Sequence, residues 1–173
     1  MYYYFCFDVE AFEFRKKRIL EVGYSIIDAD KKEISTHHII VNENSHLRNG
    51  KYVSDNRDNF THGESVFMDE QHLVELLDRL IFYADGIVGH ALSNDVKYLL
   101  SMGVTIPEEI PRYDTQTIAK LVFGEQRKLE RVYQVFCQKT LEDAHNAGND
   151  SHATAEVFLE QLVINIVDSE ENN

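Results

Sequence analysis

The chain has 173 residues, of which 43% are hydrophobic and 27% carry a charge. This length suits one domain with a single apolar core, and this balance argues against wholesale disorder. The 30 acidic side chains outnumber the 17 basic ones, which gives a formal net charge of −13. That charge argues against a broad basic face for nucleic acid, although a local cationic groove or bound metal ions remain compatible with it.

The two cysteines, Cys6 and Cys137, both lie inside apolar patterns. This placement predicts reduced core thiols of an intracellular protein and not a disulfide framework. The first residues lack a basic region of the kind found in signal peptides, and no run approaches 18 apolar residues. We therefore expect a cytoplasmic or otherwise intracellular protein with no membrane partner.

Three strands are predicted near the start of the chain. Tyr2 to Phe7 are all aromatic or thiol-bearing, which is typical of a strand buried on both faces. Ile19 to Ile27 and Ile34 to Val41 also have strand-like composition, and turn-rich residues connect them. Three strands with short connections predict an antiparallel meander in which the first strand is the most buried.

The polar stretches between these elements carry most of the positive charge in this half of the chain. Arg15 to Arg18 form a basic cluster, for which a solvated turn is the alternative to a functional role. Residues 42–64 form a polar segment of a length that is usually functional or mobile. This segment contains Arg48, Lys51 and Arg57, which we expect to be solvated loop charges, although they could touch a polyanion.

The hydrophobic period changes from two to about 3.6 after Asp69, which is predicted to cap a helix with apolar positions from Leu73 to Ile81. A short buried strand is predicted at Gly86–His90. Further helices are predicted at residues 95–101, 115–123, 129–139 and from about 150 onward. This order predicts an α/β protein with a mixed central sheet flanked by helices. We expect one domain over residues 1–168 and a frayed acidic tail over 169–173.

Asp8 and Glu10 stand at the end of the first strand. Residues two apart on a strand share one face, so these carboxylates lie roughly 6.5 to 7 Å apart along the chain. Like charges held side by side repel, and a divalent cation with its preference for oxygen ligands removes that conflict. The alternative is an ordinary strand end that reaches water.

Two more acids stand near the starts of predicted helices. Asp95 follows the buried strand at Gly86–His90, and ligand sites of α/β sheets gather at the carboxyl ends of strands. Asp150 stands in a first helical turn, five residues after His145. For both acids the alternative role is a helix N-cap, and for His145 it is a surface loop position.

Taken in order, these residues resemble the three motifs of the DnaQ-like (DEDDh) 3′–5′ exonucleases, a branch of the RNase H-like superfamily. Phe7-Asp8-Val9-Glu10 resembles the first motif, and Gly89-His90 followed by Asp95 resembles the second. His145-x-Ala147-x-x-Asp150 resembles the third motif in its histidine-bearing form. The resemblance covers nearly the whole chain, with the segment at 42–64 as a departure from the shortest members.

The resemblance implies an RNase H-like fold and a reaction that uses two Mg²⁺ or Mn²⁺ ions. It implies metal ligation by four acids: Asp8, Glu10, Asp95 and Asp150. His145 would take the proton from the attacking water. Contacts with the substrate are expected from a further set: Ala11, Phe12, His90 and Asn94. A homodimer is also possible, because many members of this family are dimers.

The sequence therefore predicts a metal-dependent 3′–5′ exonuclease that releases nucleoside 5′-monophosphates from single-stranded 3′ ends of RNA or DNA. A slight preference for RNA or short oligonucleotides is expected, because an acidic surface gains little from long duplex backbones. One alternative is a non-catalytic RNase H-like scaffold that binds protein or RNA, and another is a small metal-binding regulatory domain. The remaining histidines have no zinc-like spacing, and no role is predicted for them: His37, His38, His46, His62, His72 and His152.

Overall fold

The centre of the molecule is a six-stranded mixed sheet, seen in a computed structural model that describes residues 3–15 and 17–171, with the backbone alone for 164–171. Its strands are β1 (Tyr3–Ala11), β2 (Ile19–Asp28), β3 (Glu33–Val41), β4 (Ser65–Met68), β5 (Gly86–Gly89) and β6 (Arg112–Asp114). The helices are α1 (Glu70–Phe82), α2 (Leu92–Met102), α3 (Thr115–Phe123), α4 (Leu129–Phe136) and α5 (Ala147–Glu171). A 3₁₀ turn spans Asn42–Asn44.

The strand order is β4-β3-β2-β1-β5-β6. The β1, β2 and β3 strands form the predicted antiparallel meander, while β1–β5, β5–β6 and β3–β4 are parallel pairs. The mixed sheet of the sequence prediction is therefore confirmed. Since β1 lies between β2 and β5, its carboxyl end is at the centre of the sheet.

Strand β1 is buried on both faces from Phe5 to Phe7, as predicted. Phe5 and Phe7 pack into the larger core with residues of α1 and α2. Cys6 points to the opposite face, where it packs with Phe158 of α5, and its Sγ lies 3.3 Å from the Ser151 carbonyl oxygen. Because side chains alternate on a strand, Asp8 and Glu10 share the α5 face with Cys6.

Several element boundaries differ from the predictions. Strand β4 was not predicted, and it adds to the sheet beside β3. Helix α4 ends at Phe136 and not at residue 139, because Gln138 has a left-handed backbone with φ of 56°. Helix α2 begins at Leu92, earlier than predicted, after the left-handed Ala91. Asp69 caps α1 as predicted, by accepting a hydrogen bond from the His72 amide at 3.0 Å.

Helix α5 begins at Ala147, with its first turn held by Asn146, whose Oδ1 accepts from the Asn149 amide at 3.0 Å. Asp150 is therefore not the N-cap, and its carboxylate is left for other contacts. The helix continues to Glu171, while residues 172 and 173 lie outside the described residues, so the frayed tail stays a prediction. Across the described part of the chain, no helix is both long and apolar enough to cross a membrane.

Candidate active site

Asp8 stands at the centre of the candidate site, at the carboxyl end of the central strand. Its Oδ2 is buried and has no hydrogen-bond partner among the described residues. Burial raises the pKa of Asp8 well above its ordinary value, and the nearby carboxylates of Asp95, Asp150 and Glu10 raise it further. Burying a carboxylate oxygen without a hydrogen-bond donor costs free energy, so this atom is suited to binding a cation.

Asp95 is brought to the same place by the turn between β5 and α2. Asp114, at the end of β6, accepts hydrogen bonds from the amides of Ala91 (3.0 Å) and Leu92 (3.2 Å). It also accepts from the Gln116 amide and so caps α3. Asp95 is only 7% exposed; burial and Glu10 raise its pKa well above the ordinary value, while a hydrogen bond from the Val9 amide opposes the rise.

Asp150 reaches the site because α5 lies directly on strand β2. A Cβ on Gly23 would lie 1.8 Å from the Ala147 carbonyl oxygen, so only glycine admits this approach. The Asp150 Oδ2 accepts from the His145 amide at 2.9 Å, but its Oδ1 is buried without a partner among the described residues. Burial raises the pKa of Asp150 to about 7.

His145 lies on the loop before α5 with a left-handed backbone (φ 67°), and 48% of its side chain is exposed. Its Nδ1 is 3.6 Å from the Glu10 Oε1, which is an ion-pair distance and longer than a normal hydrogen bond. The Glu10 carboxylate raises the pKa of His145. One ligand atom each from Glu10, His145 and Asp150 lies within 4.8 Å of the other two.

The loop that carries His145 is held by the polar segment at 42–64. The Asn146 side-chain amide donates to the carbonyl oxygens of Asn56 (3.0 Å) and Arg57 (3.1 Å). The Asn149 side chain accepts from the Thr61 amide and hydroxyl, at 3.1 and 3.0 Å. These contacts connect residues about 90 positions apart and fix the start of α5 next to the acids.

The three cations of that segment were predicted to be solvated loop charges, and for Arg57 this prediction is wrong. Arg57 is buried, and its guanidinium donates to the carbonyl oxygens of Leu47 (3.1 Å) and Ser45 (3.0 Å). It therefore closes the segment on itself, because a buried guanidinium requires acceptors. Arg48 forms ion pairs with Asp55 and Asp58.

A buried pair that the sequence analysis missed lies beside the acidic cluster. His38, for which no role was predicted, is fully buried, and its Nε2 lies 2.8 Å from Glu21 Oε2. Glu21 stands opposite Glu10 in the β1–β2 register and also accepts from the Ala147 amide at 3.4 Å. The sequence signal was Glu21 itself, the one charge within the apolar run from Ile19 to Ile27.

The four residues expected to contact the substrate differ in their burial. Ala11 and Phe12 are half-buried, immediately after Glu10, while Asn94 is exposed. His90 lines the site's cavity, but its two ring nitrogens lie 3.0 Å from Thr115 Oγ1 and the Arg127 carbonyl oxygen, and burial lowers its pKa. Their roles toward a substrate stay predictions.

A cavity of about 280 Å³ opens over the site, and its lining includes Asp8, Glu10, His145 and Asp150. A larger apolar cavity of about 470 Å³ lies beside Phe5 and Leu80, and among the described residues no acid or histidine lines it. Of these two cavities, the smaller one is lined by carboxylates and histidines. Its donor set fits a hard divalent cation, since two buried carboxylate oxygens there have no donor among the described residues.

A comparison with models of known protein families identifies the family of this chain. Residues 3–161 match the model of the DEDDh_C family, described as DNA polymerase III subunit epsilon-like, C-terminal domain. The chain belongs to this DEDDh exonuclease family. The resemblance read from its motifs is thereby confirmed.

Relatives of this DEDDh chain occur in two yeasts. It is 30% identical to a Schizosaccharomyces pombe protein described as an uncharacterized nucleolar protein, over 88% of this chain and 66% of the relative. It is 28% identical to the Saccharomyces cerevisiae "Good for full DBP5 activity protein 2", over 93% of this chain and 35% of the relative. The chain thus spans less than two thirds of the length of these relatives.

Solved structures confirm the RNase H-like fold of this DEDDh domain. The Neurospora crassa Pan2 catalytic unit superposes with a TM-score of 0.67 at 12% identity, covering 98% of this chain and 28% of Pan2. Schizosaccharomyces pombe Pop2p, in a Mg²⁺- and Mn²⁺-bound form, gives 0.61 at 16% identity, covering 91% and 81%. Saccharomyces cerevisiae Pan2, in complex with AAGGA RNA, gives 0.61 at 17% identity, covering 98% and 32%.

Proposed function

We propose that this chain is a divalent-metal-dependent 3′–5′ exonuclease that hydrolyses single-stranded 3′ ends and releases nucleoside 5′-monophosphates. One observation carries the proposal. Two buried carboxylate oxygens, on Asp8 and Asp150, have no hydrogen-bond partner among the described residues and lie where the family motifs converge. A binding scaffold gains nothing from such unpaired acids, whereas a metal-dependent hydrolase needs them.

The four motif acids are proposed to hold the metal: Asp8, Glu10, Asp95 and Asp150. When bound, two Mg²⁺ or Mn²⁺ ions supply the Lewis acidity that stabilises negative charge on the phosphodiester and its leaving oxygen. The burial of Asp8 and Asp95 and their raised pKa values support this role, because a buried carboxylate is stabilised by a positive partner. Added positive charge also converts a repulsive acidic pocket into one that attracts phosphate.

His145 is proposed to accept the proton of the attacking water. Its side chain is half exposed and lines the cavity, so water and substrate can reach it. Glu10, 3.6 Å away, favours the imidazolium that forms when the proton is accepted. Asn146 and Asn149 keep the His145 loop in place, because their side chains are bound to the polar segment.

RNA or short oligonucleotides are proposed as the preferred substrates over long duplex DNA. The net charge of −13 disfavours extended contact with a duplex backbone. The Saccharomyces cerevisiae Pan2 structure holds RNA, and one yeast relative is described as nucleolar, which supports an intracellular RNA substrate. A homodimer, expected from the family, stays a prediction.

The test is a panel of 3′-labelled RNA and DNA, single- and double-stranded, with Mg²⁺, Mn²⁺ or chelator. We expect stepwise shortening of single strands from the 3′ end, release of 5′-monophosphates, and complete arrest by chelator. Activity that persists unchanged in chelator would refute the metal mechanism. Absence of cleavage with every substrate and metal would favour the scaffold alternative.

A further inference from the structure

Beyond the acids, an exposed aromatic cluster extends from the end of β1. Phe14 is 55% exposed and Tyr52 is 71% exposed, with their ring centroids 5.9 Å apart. The Lys51 Nζ lies over both rings, 5.7 Å from that of Phe14 and 5.0 Å from that of Tyr52. We call Phe14, Lys51 and Tyr52 the platform. Large exposed aromatic groups at one place are a feature of binding surfaces.

The platform is held in place by a clamp between two loops. The Glu13 carboxylate accepts hydrogen bonds from three successive backbone amides, those of Lys51 (3.0 Å), Tyr52 (2.7 Å) and Val53 (3.1 Å). The Asn49 side chain accepts from the Glu13 amide at 2.9 Å and donates to the Ala11 carbonyl oxygen at 3.1 Å. The exposed rings are therefore fixed relative to β1, which lowers the entropy cost of binding.

Positive charge is concentrated around the platform in a chain that is otherwise acidic. Arg15, Lys17 and Arg18 are exposed on the turn that follows Phe14, and none forms an ion pair with another residue of the described ranges. This turn and Lys51 therefore form the local cationic patch that the overall charge conceals.

The platform is connected along the chain to the strand that carries the candidate active site, while its three residues lie outside the lining of the site's cavity. Phe12 follows Glu10 by two residues, and its ring centroid is 5.4 Å from that of Phe14. A path of rings thus leads from the strand that carries Asp8 through Phe12 and Phe14 to Tyr52. Aromatic faces bind unpaired bases by stacking with little regard to sequence, and nearby cations bind the phosphates.

We propose that the platform binds the unpaired bases that lie 5′ of the terminal nucleotide, so that it selects single-stranded substrates of several nucleotides. This inference rests on the proposed exonuclease function, which already specifies single strands, and adds a minimum substrate length and the residues that bind the unpaired bases. A duplex offers base edges and not base faces, so it cannot stack here. A dinucleotide is too short to occupy both the active site and the platform.

The experiment compares kcat/KM for a dinucleotide and a single-stranded octanucleotide RNA with the unmodified protein, Phe14→Ala and Tyr52→Ala. We expect each substitution to lower the octanucleotide value about 5- to 100-fold, mainly through KM, and to leave the dinucleotide value within about twofold. Tyr52→Phe keeps the ring and should match the unmodified protein. Tyr83→Ala removes an equally exposed ring remote from the site and should change neither value.

A binding measurement separates failure of this inference from failure of the proposed function. Fluorescence anisotropy of a labelled octanucleotide, in an Asp8→Ala background, should show the same loss of affinity for Phe14→Ala and Tyr52→Ala. If the unmodified protein cleaves but both variants cleave and bind the octanucleotide equally well, the platform is overturned while the exonuclease stands. If nothing is cleaved, the anisotropy measurement still tests the platform, and equal affinity of both variants and the unmodified residues would overturn it.

Discussion

At the scale of single residues, His145 combines an exposed imidazole with a carboxylate neighbour, Glu10. His145→Ala should lower the rate constant of the hydrolysis step at least about tenfold, because a positioned general base contributes that much or more. The measurement is single-turnover hydrolysis with Mn²⁺ across a range of pH. His46→Ala, which removes another exposed histidine, serves as the control. An unchanged rate for His145→Ala would demote this residue to a structural role.

The titration of Asp150 links the site to stability in metal-free protein. Its pKa of about 7 in the folded state lies above the ordinary value, so the folded state binds the proton more tightly than the unfolded state. Stability from this group is thus present below about pH 4 and is lost as the pH rises through about 7. Asp150→Asn keeps an acceptor for the His145 amide but removes the titration.

We therefore expect Asp150→Asn to stabilise metal-free protein more at pH 8 than at pH 5, by a few kcal/mol. Urea unfolding in chelator at both pH values gives the difference, in which the contributions of titrating groups remote from Asp150 cancel. Glu64→Gln, at an exposed acid, should show no such pH-dependent gain. An Asp150→Asn effect that is equal at the two pH values would show that this carboxyl is not perturbed.

At the scale of elements, the contact of α5 with β2 places Asp150 beside Asp8. Gly23→Ala would put a Cβ 1.8 Å from the Ala147 carbonyl oxygen, so the start of the helix must move. We expect the free energy of unfolding to fall by about 1–3 kcal/mol or more. The rate of hydrolysis by the folded protein should fall as well, since the acids separate. Thermal unfolding and hydrolysis rates measure the two effects.

Gly103→Ala is a useful control for that experiment. Gly103 has φ of 98°, and a Cβ at this position would meet no atom within 4 Å, so the substitution strains only the backbone. This variant should lose stability but keep the kcat of the protein that remains folded. If Gly23→Ala retains full kcat, the close approach of α5 is not what assembles the site.

The elements were predictable from sequence to the extent that their signals are local. The apolar run of β1, the cap at Asp69 and the helix at Thr115–Phe123 all follow from neighbouring residues, and the structure has them. Strand β4 was missed because its four residues are partly exposed at the sheet edge and show no clear alternation. The Asn146 cap was missed because Asp150, four residues later, offered the same signal.

The candidate site was predictable only as a set of motif positions. Its supporting contacts connect distant parts of the chain, such as Glu21 with His38 and Asn149 with Thr61. No local pattern specifies these pairs, since each depends on how the meander, the polar segment and α5 pack together. The prediction for Arg57 was wrong for the same reason: its acceptors are backbone carbonyls of a folded loop.

At the scale of the whole molecule, a net charge of −13 coexists with a proposed function that requires phosphate binding. Part of the explanation is local, because cations surround the platform. The other part is the metal, because an acidic cavity repels phosphate until cations are bound there. The proposed function therefore depends most on whether the acids at the centre of the sheet hold divalent ions.

That dependence is tested most directly by titrating metal-free protein with Mn²⁺ and measuring the free ion by electron paramagnetic resonance. The proposed mechanism predicts two ions bound per chain, with loss of binding in Asp8→Asn and normal binding in Glu64→Gln. Failure of the unmodified protein to bind Mn²⁺ at millimolar concentration, or equal binding by Asp8→Asn, would contradict it.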